Sequence, residues 1–337
     1  MLGKHHRVAV IGATGLVGEE LCEIILARGH EFPDCFGRPR ETQVCGRTVT
    51  IKSMSADSLA GYDVAFFCAP ASIARELAPE VARHGVTVID QSSAFRMDPK
   101  IPLVIPEVNP HHIHGKLIAN PNCSTILLLL ALAPLHREFG CVHVNVSTYQ
   151  AISGAGKAAM GELIESTRSE LEGNLQPAVS LHEEAAFNVW SHDSQVDVDN
   201  GYNIEEIKMI RESEKILDNP PRVTATCVRV PVLRTHCEVV SVTLGEPTTE
   251  ARLREVLHNS PGVEIMDDRV ANRFPTARRG VGHDGVLVGR IRPDLSEEVE
   301  TSEGEESCRQ YHFFLAGDQI RKGAALNAIQ IADLMLS

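Results

Sequence analysis

The sequence predicts a two-domain α/β protein: an N-terminal parallel sheet, followed by an α+β domain with a mixed or antiparallel sheet. Three observations carry that expectation. Residues 7–11 (RVAVI) are a short apolar run that enters the glycine-rich turn GATGLVG and opens a helix. Strand-length apolar runs then alternate with helix-period segments as far as residue 119, the rhythm of βαβ units. Beyond residue 140 the runs lengthen and alternate β-branched with polar residues, as strands of a larger sheet do. A length of 337 residues suits two domains of ordinary size.

Each element follows in order. The helix opened by residues 12–18 runs to about residue 28. Residues 63–68 (DVAFFC) and 86–89 (VTVI) are buried strands, with a helix at 72–84 between them. Ile118 and Ala119 end another strand, Asn120-Pro121-Asn122 breaks it, and an apolar helix starts near Cys123 or Ser124. Residues 142–151 are a long strand, 156–172 a helix, 173–200 a loop-rich stretch and 204–217 a helix. Residues 223–230 and 236–245 read as strands paired with each other. Strands near 286–292 and 310–316 complete the second sheet, and 319–336 reads as a clean amphipathic helix. Six glutamates crowd residues 297–306 without apolar periodicity, so this segment reads as a solvated hairpin or a disordered insertion. No internal repeat is visible.

Composition excludes several functions. Acidic residues number 45 against 32 basic ones, a net charge of −13, which argues against phosphate-backbone binding and against a polybasic membrane surface. The longest uncharged apolar run, 126–133, stops at Pro134 and is too short to span a bilayer. The N-terminus enters a strand without a signal-peptide pattern, so a cytoplasmic location is expected, with neither nucleic acid nor membrane as partner. Nine cysteines, an odd number with no C-x-x-C pair, fit neither a disulfide framework nor a structural zinc site. His111, His112 and His114 read as a surface loop, and His5 and His6 as an exposed pair; no metal is expected.

Four motifs carry chemistry. Gly12-Ala13-Thr14-Gly15-Leu16-Val17-Gly18, between strand and helix, is a Rossmann-type dinucleotide turn: glycines permit the tight turn and close backbone approach, and the helix start favours a pyrophosphate. Arg38, about twenty residues beyond, with Arg40 beside it, stands where NAD-specific folds place an acid, which favours NADP. Asn120-Pro121-Asn122-Cys123-Ser124-Thr125 puts a thiol at a helix N-terminus, a position that stabilises a thiolate. In STYQAISGAG, Gln150 precedes a glycine-rich turn and is placed to orient a carbonyl. In RVPVLRTH, Arg229 and His236 flank a short turn: the arginine suits a carboxylate, and the histidine is the natural general base.

These motifs, together with SSAFR (92–96), PEVN (106–109), EEIKM (205–209), VGRIR (288–292) and RKGAALN (321–327), occur in the order seen in aspartate-semialdehyde dehydrogenases, which the chain resembles over nearly its whole length. The resemblance implies NADP-dependent, phosphorylating oxidation of L-aspartate 4-semialdehyde to L-4-aspartyl phosphate, a reaction whose reductive direction serves amino-acid biosynthesis. It implies that Cys123 is the nucleophile that becomes an acyl-thioester, His236 the acid/base group and Gln150 the residue that orients the acyl group. Arg229 would hold the substrate carboxylate and Glu205 its ammonium; Arg96, Asn122 and Lys208 would form the phosphate site. Gly12, Thr14, Gly15, Leu16, Val17, Arg38, Ser72, Ser153, Gly154 and Gln319 would contact the cofactor. It also implies a dinucleotide domain over 1–122, completed by the helix 319–337, and a substrate and dimerisation domain over 123–318, in a homodimer or tetramer. Two departures stand out: residues 30–46 lack an apolar strand, and Ala69-Pro70-Ala71-Ser72 replaces a Gly-Gly-Ser turn. A catalytically silent paralogue, or a reductase of N-acetyl-glutamyl phosphate, are the alternatives. The complete set of Cys123, Gln150, Arg229 and His236 opposes the first, and Pro121-Asn122-Cys123-Ser124 with Glu205 and Lys208 opposes the second.

Overall fold

The computed structural model describes residues 2–174, 177–296, 300–302 and 305–336. The chain forms two compact units: one runs up to Cys123 and resumes at Gly323, and the other spans Ser124–Lys322.

The first unit contains β1 (Val8–Ile11), α1 (Leu16–Ala27), β2 (Asp34–Gly37), β3 (Arg40–Val44), β4 (Arg47–Ser53), α2 (Ala56–Leu59), β5 (Val64–Phe67), α3 (Ala71–Arg83), β6 (Thr87–Asp90) and β7 (Leu117–Ala119). Its seven-stranded sheet has the order β3-β4-β2-β1-β5-β6-β7. All pairs are parallel except β3 with β4. Strands β1, β5 and β6 are buried on both faces, as apolar runs such as VAFF require. The C-terminal helix Leu326–Met335 completes this unit: Arg28 of α1 pairs with Asp333 at 2.8 Å, and Asn327 donates to the Val104 carbonyl at 3.0 Å.

Two expectations for this unit are not met. Residues 30–46 do contain a strand: β2 needs only Cys35 and Phe36 to face the core, because β1 and β4 flank it. The following hairpin β3–β4 turns on Cys45 and Gly46, both at positive φ (51° and 70°), as a two-residue type I′ loop needs. The terminal segment is not one amphipathic helix. Residues Arg321–Ala325 form a π turn, and the α-helix after it buries Leu326, Asn327, Ala328, Ile329, Ile331 and Ala332, too many sides for a single apolar stripe.

The second unit continues with α4 (Cys123–Phe139), β8 (Cys141–Gln150), α5 (Lys157–Leu171), β9 (Trp190–Ser191), α6 (Ile204–Ile216), β10 (Arg222–Arg229), β11 (His236–Thr248), α7 (Glu250–His258), β12 (Val263–Ile265), α8 (Ala277–Gly280), β13 (Val286–Pro293), β14 (Glu300–Ser302) and β15 (Glu305–Gly317). Its sheet has the order β12-β13-β15-β11-β8-β10-β9, with β14 against β15. The expected pairing of residues 223–230 with 236–245 does not occur: β10 pairs parallel with β8, and β11 pairs antiparallel with β8 on its other side. The link 230–235 wraps the end of β8, bonded by Val230 N–H to the Gln150 carbonyl and by Ile152 and Ser153 N–H to Val232 and Leu233. Of the glutamate-rich segment, residues 297–299 and 303–304 lie outside the described residues. The rest is a hairpin, with Glu300 opposite Ser307.

Candidate active site

In the first unit the parallel sheet reverses its order at β1, since the chain moves outward to β2 and then returns to β5 on the other side. Ligands of such sheets bind at this switch, beyond the carboxyl ends of the strands. The turn after β1 is shaped for it. Gly12 has φ +86°, and a Cβ there would lie 2.4 Å from the Cys68 carbonyl oxygen. Gly18 packs α1 onto the turn, its Cβ position 2.4 Å from the Gly12 oxygen. Gly15 is exposed, its Cβ position 3.4 Å from the Gly12 oxygen, and caps α1 without a side-chain hydrogen bond, which leaves the helix start to an anion. Thr14, Leu16 and Val17 lie on the same turn. Ser72 is exposed in the first turn of α3, just after β5. Arg38 is exposed directly after β2, and Arg40 Nη2 donates to Thr14 Oγ1 at 3.5 Å. The turn thus fits a dinucleotide, and Arg40 is a basic residue in contact with it.

Arg96, in the loop after β6, donates from Nη2 to the Gln91 carbonyl at 2.9 Å. Asn122 is buried, and Cys123, half-buried, is the first residue of α4. The approach to Cys123 is held by amides: Asn327 Nδ2 donates to Asn120 Oδ1 at 2.7 Å. Nothing in the sequence marked Asn327 beyond its place in a motif.

In the second unit, strand register brings the other predicted residues to one end of the sheet. Arg229 pairs with Gln150, and Cys237 with Tyr149, so Gln150, Arg229 and His236 arrive on one face. All three are buried. Gln150 Nε2 donates to Ser124 Oγ at 2.9 Å and to Glu205 Oε1 at 3.4 Å. Arg229 Nη1 donates to Gln150 Oε1 at 3.4 Å and to the Ala151 carbonyl at 3.2 Å. The Ala151 N–H donates to His236 Nδ1 at 2.9 Å. Gly154 lies beside this group; a Cβ there would stand 2.9 Å from Arg229 Nη1 and 3.5 Å from His236 Nε2. Burial, and then the Arg229 charge, push the His236 pKa down to about 3.

Glu205 is the second residue of α6, near the helix's positive end. Its position is set by a capping box between Asn203 and Glu206, and Glu206 Oε1 also accepts the Cys227 N–H at 2.9 Å. Lys208 Nζ donates to Glu205 Oε2 at 3.0 Å, as a spacing of three on one helix face allows. Gln319 is buried with its amide engaged at both ends: Oε1 accepts the Thr235 N–H at 2.8 Å and Nε2 donates to Ser153 Oγ.

Asp193 escaped sequence reasoning. It lies in the loop-rich stretch, where one acid among several carries no pattern, yet it accepts from Arg229 Nε at 2.8 Å and from the Trp190 indole at 2.9 Å. Burial would raise its carboxyl pKa, but the Trp190 and Arg229 hydrogen bonds outweigh that and hold it low. The only available signal was Trp190, the single tryptophan of the chain.

The glycine-rich turn at the switch point of the first unit's sheet and the buried Gln-Arg-His group of the second are features of a dinucleotide-dependent oxidoreductase. The comparisons carry the assignment further. Residues 7–116 match the family described as "Semialdehyde dehydrogenase, NAD binding domain", and residues 132–322 match "Semialdehyde dehydrogenase, dimerisation domain". The chain is 40% identical to the aspartate-semialdehyde dehydrogenase of Prochlorococcus marinus over 98% of its own length and 96% of the relative's. It is 38% identical to that of Bacillus subtilis, with 98% of each chain covered. The crystal structure of aspartate semialdehyde dehydrogenase II from Vibrio cholerae superposes with a TM-score of 0.89 at 37% identity, covering 98% of both chains. The chain belongs to the aspartate-semialdehyde dehydrogenase family.

Proposed function

We propose that this enzyme oxidises aspartate semialdehyde through an acyl-thioester on Cys123, with NADP as the preferred dinucleotide and phosphate as the final acyl acceptor. The observation that carries the reading is Gln150: its amide bonds to Ser124, the residue covalently next to Cys123, and its carbonyl meets Arg229, whose neighbour Ala151 holds His236. Support also comes from the Vibrio cholerae enzyme, whose structure is described as complexed with ASA.

Each residue then has a role set by its chemistry. Cys123 attacks the aldehyde carbon from a helix start that favours negative charge. Gln150 orients the acyl oxygen. Because Nδ1 of His236 already accepts the Ala151 N–H, the neutral ring carries its proton on Nε2 and serves as a donor to the oxygen that becomes negative. In that tautomer His236 supplies a hydrogen bond to the oxyanion and keeps its proton, which departs from the acid/base role that the family resemblance implies. Arg229, fixed by Asp193 through Nε, presents its outer amino groups to the substrate carboxylate. Glu205 takes the ammonium. Lys208, Arg96 and Asn122 receive phosphate, which attacks the thioester and releases the thiolate. A bound nicotinamide dinucleotide supplies the hydride acceptor. Arg40, in contact with Thr14, and Arg38, after β2, favour the 2′-phosphate of NADP. A homodimer is the assembly expected of the dimerisation domain.

The test is an initial-rate comparison of NADP with NAD, in the presence and absence of phosphate. Phosphate-dependent reduction that favours NADP, with the preference weakened in Arg40→Ala, supports the reading. Equal rates with both cofactors, unchanged by Arg40→Ala and Arg38→Ala, would overturn the NADP assignment.

A further inference from the structure

Thr235, the residue before His236, has a φ of +83° and is buried. β-branched residues avoid this left-handed region, and one held there marks a turn that its surroundings over-determine. Contacts on three sides hold it. Its N–H donates to Gln319 Oε1 at 2.8 Å, and the same amide donates to Ser153. Its methyl group packs against Gly280, where a Cβ would come within 2.5 Å of Thr235 Cγ2. The preceding residue, Arg234, directs Nε to both carboxylate oxygens of Asp318, at 3.0 and 2.8 Å. Asp318 is fully buried and also accepts the backbone N–H groups of Gly282 at 2.7 Å, Ile320 at 3.1 Å and Arg321 at 3.2 Å. Its carboxylate is therefore the hub that ties the 234–235 corner to two other loops.

We propose that Asp318 and Gln319 are positioning residues: they clamp the Arg234–Thr235 corner in its strained turn and thereby aim the His236 imidazole. The inference rests on the proposed role of His236. The alternative is that Asp318 only braces the loops around it. Strain separates the two. If the clamp works against the strain of Thr235, a glycine at 235, which accepts positive φ freely, makes the clamp less necessary. If Asp318 merely braces loops, glycine at 235 leaves its loss uncompensated.

The experiment is a double-mutant cycle with Asp318→Asn and Thr235→Gly, reading kcat and KM for the semialdehyde on protein verified as folded by near-UV circular dichroism. Asp318→Asn is expected to lower kcat at least about fivefold with KM changed less than about threefold, and the double variant to recover at least about half the kcat of Thr235→Gly alone. A smaller loss in Asp318→Asn, a loss confined to KM, or a double variant that recovers less overturns the proposal. Should Asp318→Asn fail to fold, Arg234→Gln with Thr235→Gly reads the same coupling. His236→Asn is the control. Full activity in that variant would sink the role given to His236, whereas an inactive His236→Asn beside an uncoupled cycle overturns the clamp alone.

Discussion

A histidine whose Nδ1 accepts a backbone N–H stays neutral only with its proton on Nε2. For His236, burial and the Arg229 charge act in the same sense, pushing the pKa to about 3. The expected outcome is an imidazole that remains the Nε2–H tautomer from about pH 5 to pH 8, read by 15N NMR of the ring nitrogens. A titration of His236 near its ordinary value contradicts this. The same shift links to stability. The unfolded histidine takes up a proton below about pH 6.5 while the folded one does not, so its contribution is complete above that pH and is lost as pH falls toward 3. Asp193 supports a second expectation. Removing its hold on Arg229 Nε in Asp193→Asn frees the guanidinium to rotate, so KM for the semialdehyde should rise about tenfold with kcat changed less than about threefold. The gathering of Gln150, Arg229 and His236 was legible in the sequence because each adjoins a turn with distinctive punctuation. Asp193 and Thr235 were not: a hydrogen-bond partner from a distant loop and a backbone angle leave no periodic trace.

At the scale of elements, β11 carries a cost directly below the site. Glu238 lies opposite Thr148 of β8 and Leu315 of β15, fully buried, and neither carboxylate oxygen has a hydrogen bond among the described residues. Burial raises its pKa well above the ordinary value. Between the unfolded value near 4.5 and the raised folded one, the unfolded chain has released a proton that the folded chain keeps. Stability therefore falls as pH rises through that window, by at most about 1.4 kcal/mol per pH unit. Glu238→Gln should remove that slope, so its gain in urea midpoint should be larger at neutral pH than near pH 5; an equal gain at both contradicts the assignment. Most elements were visible in the sequence, since buried parallel strands and capped helices announce themselves by apolar runs and turn residues. The errors arose where tertiary context decides. β2 and the β3–β4 hairpin have too few apolar residues to mark strands, and the partner of β10 is set by how residues 230–235 wrap β8, which no local pattern encodes.

For the whole molecule, the net charge of −13 is a sum over the sequence and does not describe the charges around the candidate residues. Six of the negatives fall in residues 297–306, which contain no candidate functional residue. Two candidate cations of the second unit are paired locally, Arg229 with Asp193 and Lys208 with Glu205. Among the described residues, no helix is long and apolar enough to cross a membrane. Whether Cys123 carries the acyl group is read by peptide mass spectrometry. Enzyme mixed with aspartate semialdehyde and NADP without phosphate is quenched in acid. An aspartyl adduct on the Cys123 peptide is expected, discharged when phosphate is added before the quench. An adduct on another residue, or none while phosphate-dependent turnover proceeds, would contradict it.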